Sequence, residues 1–233
     1  MASENVEAAN QETYFSHQER MFPELDGTDR RLIPTEQFLK ACQGIAEFVG
    51  FLGIAFVPVK KDIIGNVHKV RTKFDTDRQR MEMLQDLVDI DLAENGGKIG
   101  AATEGLLWLK RGLEFMLELL KALVRDYKNA QMKGEDLSKT ENLSGILSDA
   151  YERTLKRHHN FVSKQIFKIV LHAAPYRRTL LLAIAYGHEG LEEMCIEHIA
   201  ELLGNFDANV NTLVDYYYLK NLEQPPQQQQ KCF

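Results

Sequence analysis

The chain is poor in cysteine. Only Cys42, Cys195 and Cys232 occur among its 233 residues, an odd number at wide spacing. Disulfide scaffolds and zinc sites need cysteines in closer, paired positions. We therefore expect no metal site and a reducing compartment. The first residues, MASENVEAAN, lack the basic and apolar stretches of a secretory signal, which favours a cytoplasmic location.

An excess of basic residues is also missing. The net charge is −6 and the isoelectric point about 5.7, whereas nucleic-acid-binding domains carry basic patches and high isoelectric points. The most apolar stretch, residues 105–124, is interrupted by charged side chains, so it predicts an amphipathic helix rather than a membrane span. Those side chains are Lys110, Arg111, Glu114, Glu118 and Lys121.

Motifs for catalysis or cofactor binding are absent. The chain contains no G-x-S-x-G sequence, and Gly97-Lys98 is followed by Ile99, so no phosphate-binding loop is formed. No pair of carboxylates stands out as a general acid and base. We therefore expect a protein that is not an enzyme and that needs no cofactor.

What remains is a helical pattern with polar ends. We expect a loose polar arm over residues 1–33, one domain over residues 34–223, and a low-complexity tail over residues 224–233. No repeat and no alternating strand pattern is found, so helices packing in layers are the expected all-α architecture. Helices are predicted near 35–51, from Pro58 onward, from a cap at Thr76, and near 99–126, 143–173, 177–186 and 190–222.

The segment DIIGNVHK aligns three polar side chains along a predicted helix. Residues advance 100° each, so Asp62, Asn66 and Lys69 share a narrow stripe beside an apolar one. An acceptor, an amide and a cation in one row suit a ligand with several hydroxyl groups. A solvated face with an i, i+4 contact would give the same spacing.

Two further segments carry chemistry. In ATEGLLWLKRGLEF the single tryptophan, Trp108, shares a helical stripe with Glu104 and Arg111, and a flat indole can stack on a sugar. An ordinary core tryptophan beside a surface ion pair is the alternative. In LKRHHNFVSKQIF the adjacent His158 and His159 point about 100° apart, so only one of them can face a given pocket.

Together these strings resemble the glycolipid transfer protein family. The resemblance extends from about Phe48 to Asn221 and is carried by FVPVKKDIIGNVHK, LLWLKRGLEF, HHNFVSKQIF and HAAPY. It implies an all-α, two-layer helical sandwich that encloses one lipid. It further implies non-enzymatic transfer of glycosphingolipids between membranes.

The resemblance assigns roles residue by residue. The family's row for the sugar–amide headgroup falls on Asp62, Asn66 and Lys69, its sugar-stacking tryptophan on Trp108, and its amide-contacting histidine on His159. Asp62 can accept from a ceramide N–H and His159 can donate to the carbonyl. An apolar tunnel for the lipid chains is expected from Phe48, Val49, Phe56, Val59, Leu155, Phe167 and Val170. Phe161 falls where the family has an aromatic residue that touches the bilayer.

Two alternatives stay open. Ceramide-1-phosphate is the second ligand, although carriers of that lipid use basic residues around the phosphate, one of them where Trp108 stands. A glycolipid sensor or scaffold with slow transfer is the second functional class. In each case the expected partners are a sphingolipid and, transiently, a membrane surface. We expect a monomer and no nucleic acid.

Overall fold

A computed structural model describes residues 12–25 and 32–225. Within these ranges the chain is helical and has no β-strand, apart from two isolated bridges. The expected all-α fold is confirmed. The helices are α1 (Thr35–Phe51), α2 (Val57–Phe74), α3 (Leu84–Glu94), α4 (Ala101–Met132), α5 (Ser144–Arg153), α6 (Phe161–His172), α7 (Arg177–Ile184) and α8 (Glu192–Leu219).

Helix α4 is the centre of the domain. Its 32 residues give it a length of about 48 Å, and it packs against α2, α3, α5 and α8. Its apolar residues form one wide buried face, along which Leu106, Leu113 and Leu120 are at most 1% exposed. Of the charged residues that interrupt residues 105–124, four are partly exposed at the edges of this helix, whereas Lys110 is fully buried.

Glycines turn the chain where one helix must fold back on the next. Gly53 has φ of 104° between α1 and α2, and Gly97 has φ of 82° between α3 and α4. Both values lie in the region that residues with a Cβ adopt only with strain. The short α1–α2 turn places α2 antiparallel beside α1, and α2 then lies on α4.

The single helix expected over residues 143–173 is wrong. The chain breaks between α5 and α6, where Leu155–His158 form a 3₁₀ turn and His159 is extended. Thr154 Oγ1 donates to the Ala150 carbonyl, and the Asn160 side chain accepts from the Ser163 N–H, 2.9 Å away, capping α6. Both residue types compete with the helix for backbone hydrogen bonds.

One other boundary also differs from the sequence prediction. Thr76 Oγ1 donates to the Lys73 carbonyl at the end of α2 instead of capping the next helix, which begins at Leu84 after the extended Met83. The sequence leaves open whether residues 190–222 form one helix or a pair divided at Gly204, and the structure has one helix, α8, that runs through Gly204. A single glycine costs only about 1 kcal/mol in a helix, which the packing of α8 against α4 outweighs.

The polar arm expected over residues 1–33 is not loose where the structure describes it. Tyr14, Phe15 and Phe22 are each at most 3% exposed. The Tyr14 hydroxyl donates to the Gly44 carbonyl over 2.8 Å, and Phe22 stacks on Phe206 with ring centroids 4.4 Å apart. These three aromatic residues are therefore part of the core, while several polar residues between them are exposed. The rest of the arm and residues 226–233 of the tail lie outside the described residues.

In residues 12–25 and 32–225, none of the helices has both the length and the apolar character that crossing a bilayer requires.

Candidate functional site

A cavity of about 490 Å³ lies between α2, α4, the break before α6, and α6 itself. Its volume falls within the usual range for small-molecule sites, about 300–1,000 Å³. One end is polar and the other apolar. Its lining includes Pro58, Val59, Asp62, Ile63, Asn66, Lys69, Trp108, Gly112, Leu155, His159, Ser163, Phe167 and Val170.

Helix α2 supplies the polar row. Asp62 and Lys69 are exposed at the cavity, whereas Asn66 between them is 4% exposed. The Asn66 amide donates to Asp62 Oδ2 over 3.2 Å. This bond orients Asn66 so that its carbonyl oxygen stays available as an acceptor, while Asp62 has a second oxygen to offer. The row predicted from helical spacing is therefore formed at the cavity wall.

Close approach of α2 and α4 fixes the position of Lys69. A Cβ added to Gly105 would lie 3.1 Å from Lys69 Cβ and 3.2 Å from the Asn66 carbonyl oxygen. The absence of a side chain at Gly105 therefore lets the Lys69 stem lie on the α4 backbone. Its ammonium Nζ is 3.7 Å from Glu104 Oε2, one turn from Trp108.

Trp108 is partly buried and lines the cavity. The Arg111 guanidinium covers its ring, with Cζ 4.7 Å from the centroid. Cation–π contact of this kind holds the indole plane in place. An oriented aromatic face next to hydrogen-bonding groups suits a sugar ring, which has an apolar face and hydroxyl edges.

His159 reaches the cavity because of the break before α6. Its Nδ1 lies 3.2 Å from the hydroxyl of Tyr151, which stacks on Phe167 at 4.0 Å. Burial lowers the pKa of His159 below the usual value for histidine, and the nearby Asp62 carboxylate offsets only part of this shift. The ring is therefore neutral at about pH 7. If Nδ1 accepts from Tyr151, the proton resides on Nε2, where it can be donated to a ligand carbonyl.

Glu223 ties the end of the described chain to this region. Its side chain is 5% exposed, and its carboxylate lies 2.5 Å from Lys110 Nζ and 2.7 Å from Arg111 Nε. His158 Nε2 is 3.6 Å from the same carboxylate. Burial, with a further contribution from Arg111, lowers the pKa of His158 to about 4, so this ring is uncharged near neutral pH.

Residues 33–186 of the chain match the protein family described as Glycolipid transfer protein (GLTP). The chain belongs to the glycolipid transfer protein family. A glycolipid transfer protein of Danio rerio is 33% identical over 212 residues, which cover 89% of this chain and 95% of that protein.

Solved structures of the glycolipid transfer protein family share the fold. The structure described as "How FAPP2 Selects Simple Glycosphingolipids Using the GLTP-fold" is 28% identical, covers 91% of this chain and 98% of that one, and has a TM-score of 0.74. The fungal glycolipid transfer protein HET-C2 is 32% identical, with coverages of 91% and 95% and a TM-score of 0.70. Human ceramide-1-phosphate transfer protein, at 17% identity, coverages of 94% and 98% and a TM-score of 0.70, shares the fold alone. The expected helical sandwich is confirmed.

Within this family member, the apolar residues predicted for the lipid chains fall into two groups. Val59, Leu155, Phe167 and Val170 line the cavity. Phe48, Val49 and Phe56 are at most 1% exposed in the core and do not line it. The side chain of Phe161 lies outside the described part of the chain. Assignment of any of these residues to lipid contact stays a prediction.

Several residues of the site had no signal in the sequence. Tyr151 meets His159 only because the chain breaks between them. Glu223 meets Lys110 and Arg111 from more than a hundred positions away along the chain. Asn160, by contrast, has the spacing of a helix cap with Ser163, and that pattern could have revealed the break before α6.

Proposed function

We propose that this chain carries single glycosphingolipid molecules between membranes, as a monomer and without changing them chemically. One observation carries the proposal. Asp62, Asn66, Lys69, Trp108 and His159 come from three separate segments, yet all line one cavity whose remaining lining residues, apart from Ser163, are apolar. Membership in the glycolipid transfer protein family and the name of the Danio rerio relative support the same function.

The polar end suits the amide and sugar of such a lipid. A ceramide amide has one donor and one acceptor. Asp62 accepts from the N–H and His159 Nε2 donates to the carbonyl, while the sugar stacks on Trp108 and its hydroxyls meet Asn66 and Lys69. Burial raises the pKa of Asp62 above its usual range, and Lys69, His159 and Asn66 offset this shift only in part. A ligand N–H that donates to Asp62 favours its ionised form.

The lipid chains follow the apolar wall towards the core. A methylene gains about 0.8 kcal/mol on leaving water, but it gains this in a membrane as well as in the protein. The chains therefore permit transfer without selecting the lipid, and the polar end carries selectivity. Two long chains need more room than 490 Å³, so the packing around Phe48, Val49 and Phe56 opens when they enter.

Transfer between vesicles tests the function. The native chain is expected to move fluorescent glucosylceramide, and to move ceramide-1-phosphate and phosphatidylcholine at least about tenfold more slowly. Phosphatidylcholine lacks the amide N–H. The phosphate group of ceramide-1-phosphate would meet Lys69, which is already paired with Glu104. Mass spectrometry is expected to recover the lipids intact. Preference for ceramide-1-phosphate would reassign the ligand, tight binding with slow transfer would indicate a sensor, and hydrolysed lipid would indicate an enzyme.

Membrane contact is expected where apolar side chains surround the cavity. Ile54 is 89% exposed and Ile169 is 70% exposed, and the turn that carries Ile54 packs against α6. Large exposed apolar residues beside cations such as Lys61 and Lys168 are typical of surfaces that dock on bilayers.

Ile54→Ser is expected to lower the fraction of protein that pellets with vesicles, by about threefold. Leu219→Ser, at an exposed position at the end of α8, is the control and should pellet like the native chain.

A cytoplasmic location is part of the proposal. Cys42 and Cys195 are buried free thiols, which is usual in a reducing compartment. Recovery of the protein in the secretory fraction of cells would contradict this location.

A further inference from the structure

We propose that Glu104 is a specificity residue that keeps sphingolipids with anionic headgroups out of the cavity. The inference rests on the proposed function and names its substrate class, which is glycosphingolipids with uncharged sugars. Around Trp108, the cations Lys69 and Arg111 each already have a carboxylate partner.

Lys69 is the first of these cations. Among the described residues that line the cavity it is the one permanent positive charge. Its Nζ is 3.7 Å from Glu104 Oε2, with side-chain exposures of 43% and 56%. The Lys69 stem lies on Gly105, and this places its ammonium group at the border between the cavity and Glu104.

Arg111 is the second cation beside Trp108. Its guanidinium lies over Trp108, but its Nε donates to Glu223 Oε1 over 2.7 Å. The neighbouring Lys110 is fully buried and contacts the same carboxylate. The two cations beside Trp108 that could neutralise a phosphate or sulfate are therefore already paired within the protein, whereas Lys164, whose charge acts on His159, stands on the α6 side of the cavity.

The sum of charges at the polar end is unfavourable for an anion. Asp62 and Lys69 line the cavity, and Glu104 does not line it but stands beside Lys69. Together these three ionised side chains carry one negative charge. His159 adds none near neutral pH, because burial lowers its pKa. A sulfate that approached Lys69 would also approach Glu104, and like charges in a partly enclosed site repel.

The exposure of Glu104 makes the idea testable. An ion pair with this much solvent contact contributes little to stability, so replacing Glu104 leaves the fold in place. Lys73 and Glu94 form a comparable pair between α2 and α3, with Glu94 59% exposed and neither residue lining the cavity. Glu94→Gln therefore removes the same charge away from the site and serves as the matched control.

The experiment compares vesicle transfer of galactosylceramide with that of its sulfated counterpart. For the native chain the sulfated lipid is expected to move more slowly. Glu104→Gln is expected to raise the ratio of sulfated to unsulfated transfer about fivefold, Glu104→Asp to retain most of the native selectivity, and Glu94→Gln to match the native chain. Raising the salt concentration should narrow the native selectivity, since the repelling charge is partly exposed.

The outcomes separate this inference from the proposed function. If the native chain transfers galactosylceramide but Glu104→Gln and Glu94→Gln give equal ratios, the role of Glu104 is overturned and the function stands. Equal native transfer of both lipids also overturns it. If the native chain transfers neither lipid, while its melting curve shows that it is folded, the proposed function fails, and the inference with it.

Discussion

Asp62→Val is expected to reduce glucosylceramide transfer by about 10- to 100-fold. Valine keeps roughly the shape of the side chain but removes both acceptor oxygens, so the ceramide N–H is left without a partner inside the cavity. A hydrogen bond to a charged group contributes about 1.5–3 kcal/mol, and that free energy converts to this range of rates. The change also deprives Asn66 of the oxygen to which its amide donates.

The measurement is protein-mediated transfer between vesicles at equal concentrations of folded protein. Asp149→Val is the matched control, since Asp149 is exposed on α5 and does not line this cavity. Asp62→Asn retains one oxygen and should fall between the native chain and Asp62→Val. Native rates in Asp62→Val would contradict the assignment of Asp62 to the amide, even if the chain proves to be a glycolipid carrier.

Glu223→Ala is expected to destabilise the fold by about 3 kcal/mol. The reason is the fully buried Lys110, which would keep Glu114, 2.9 Å away, as a partner but lose the closer carboxylate. Arg111 would lose its hydrogen bond as well. Removing one member of a buried charge cluster leaves the desolvated charges uncompensated, which costs more than loss of a surface pair.

Urea denaturation measures the difference in unfolding free energy between the native chain and Glu223→Ala. The pH dependence of that difference tests whether the Glu223 carboxylate causes it. Burial would raise the pKa of Glu223, but hydrogen bonds and charge from Lys110 and Arg111 outweigh it and the pKa is lowered. The stabilisation is thus complete above about pH 4.3, the unfolded value for Glu, and is lost as the pH falls through the folded pKa. Glu118→Ala, which breaks an exposed pair with Arg153, should cost under about 1 kcal/mol. A Glu223→Ala cost no larger than this would contradict the buried-charge explanation.

Helical periodicity was enough to predict the polar row of the site. Asp62, Asn66 and Lys69 lie on one helix, and their relative positions follow from a rotation of 100° for each residue. The relative positions of side chains on one uninterrupted helix can be predicted in this way. The fold class follows equally, because the apolar spacing is helical in every long segment of the chain.

The parts of the site that join distant segments could not be derived from the sequence. Glu223 reaches Arg111 only through the packing of α8 on α4. His159 faces the cavity because Thr154 and Asn160 interrupt what looks like one apolar periodicity. The N-terminal arm was misjudged for a related reason. Tyr14, Phe15 and Phe22 are few among many polar residues, and their burial depends on grooves that other helices form.

Trp108 gives the molecule a probe of its own. It is the single tryptophan of the chain, so all indole emission of the protein comes from one wall of the cavity. An indole that exchanges water for a sugar face changes its emission maximum and its quantum yield. Unlabelled lipids with natural chains can therefore be titrated directly by fluorescence, and the rate at which the signal appears separates capture of a lipid from its delivery.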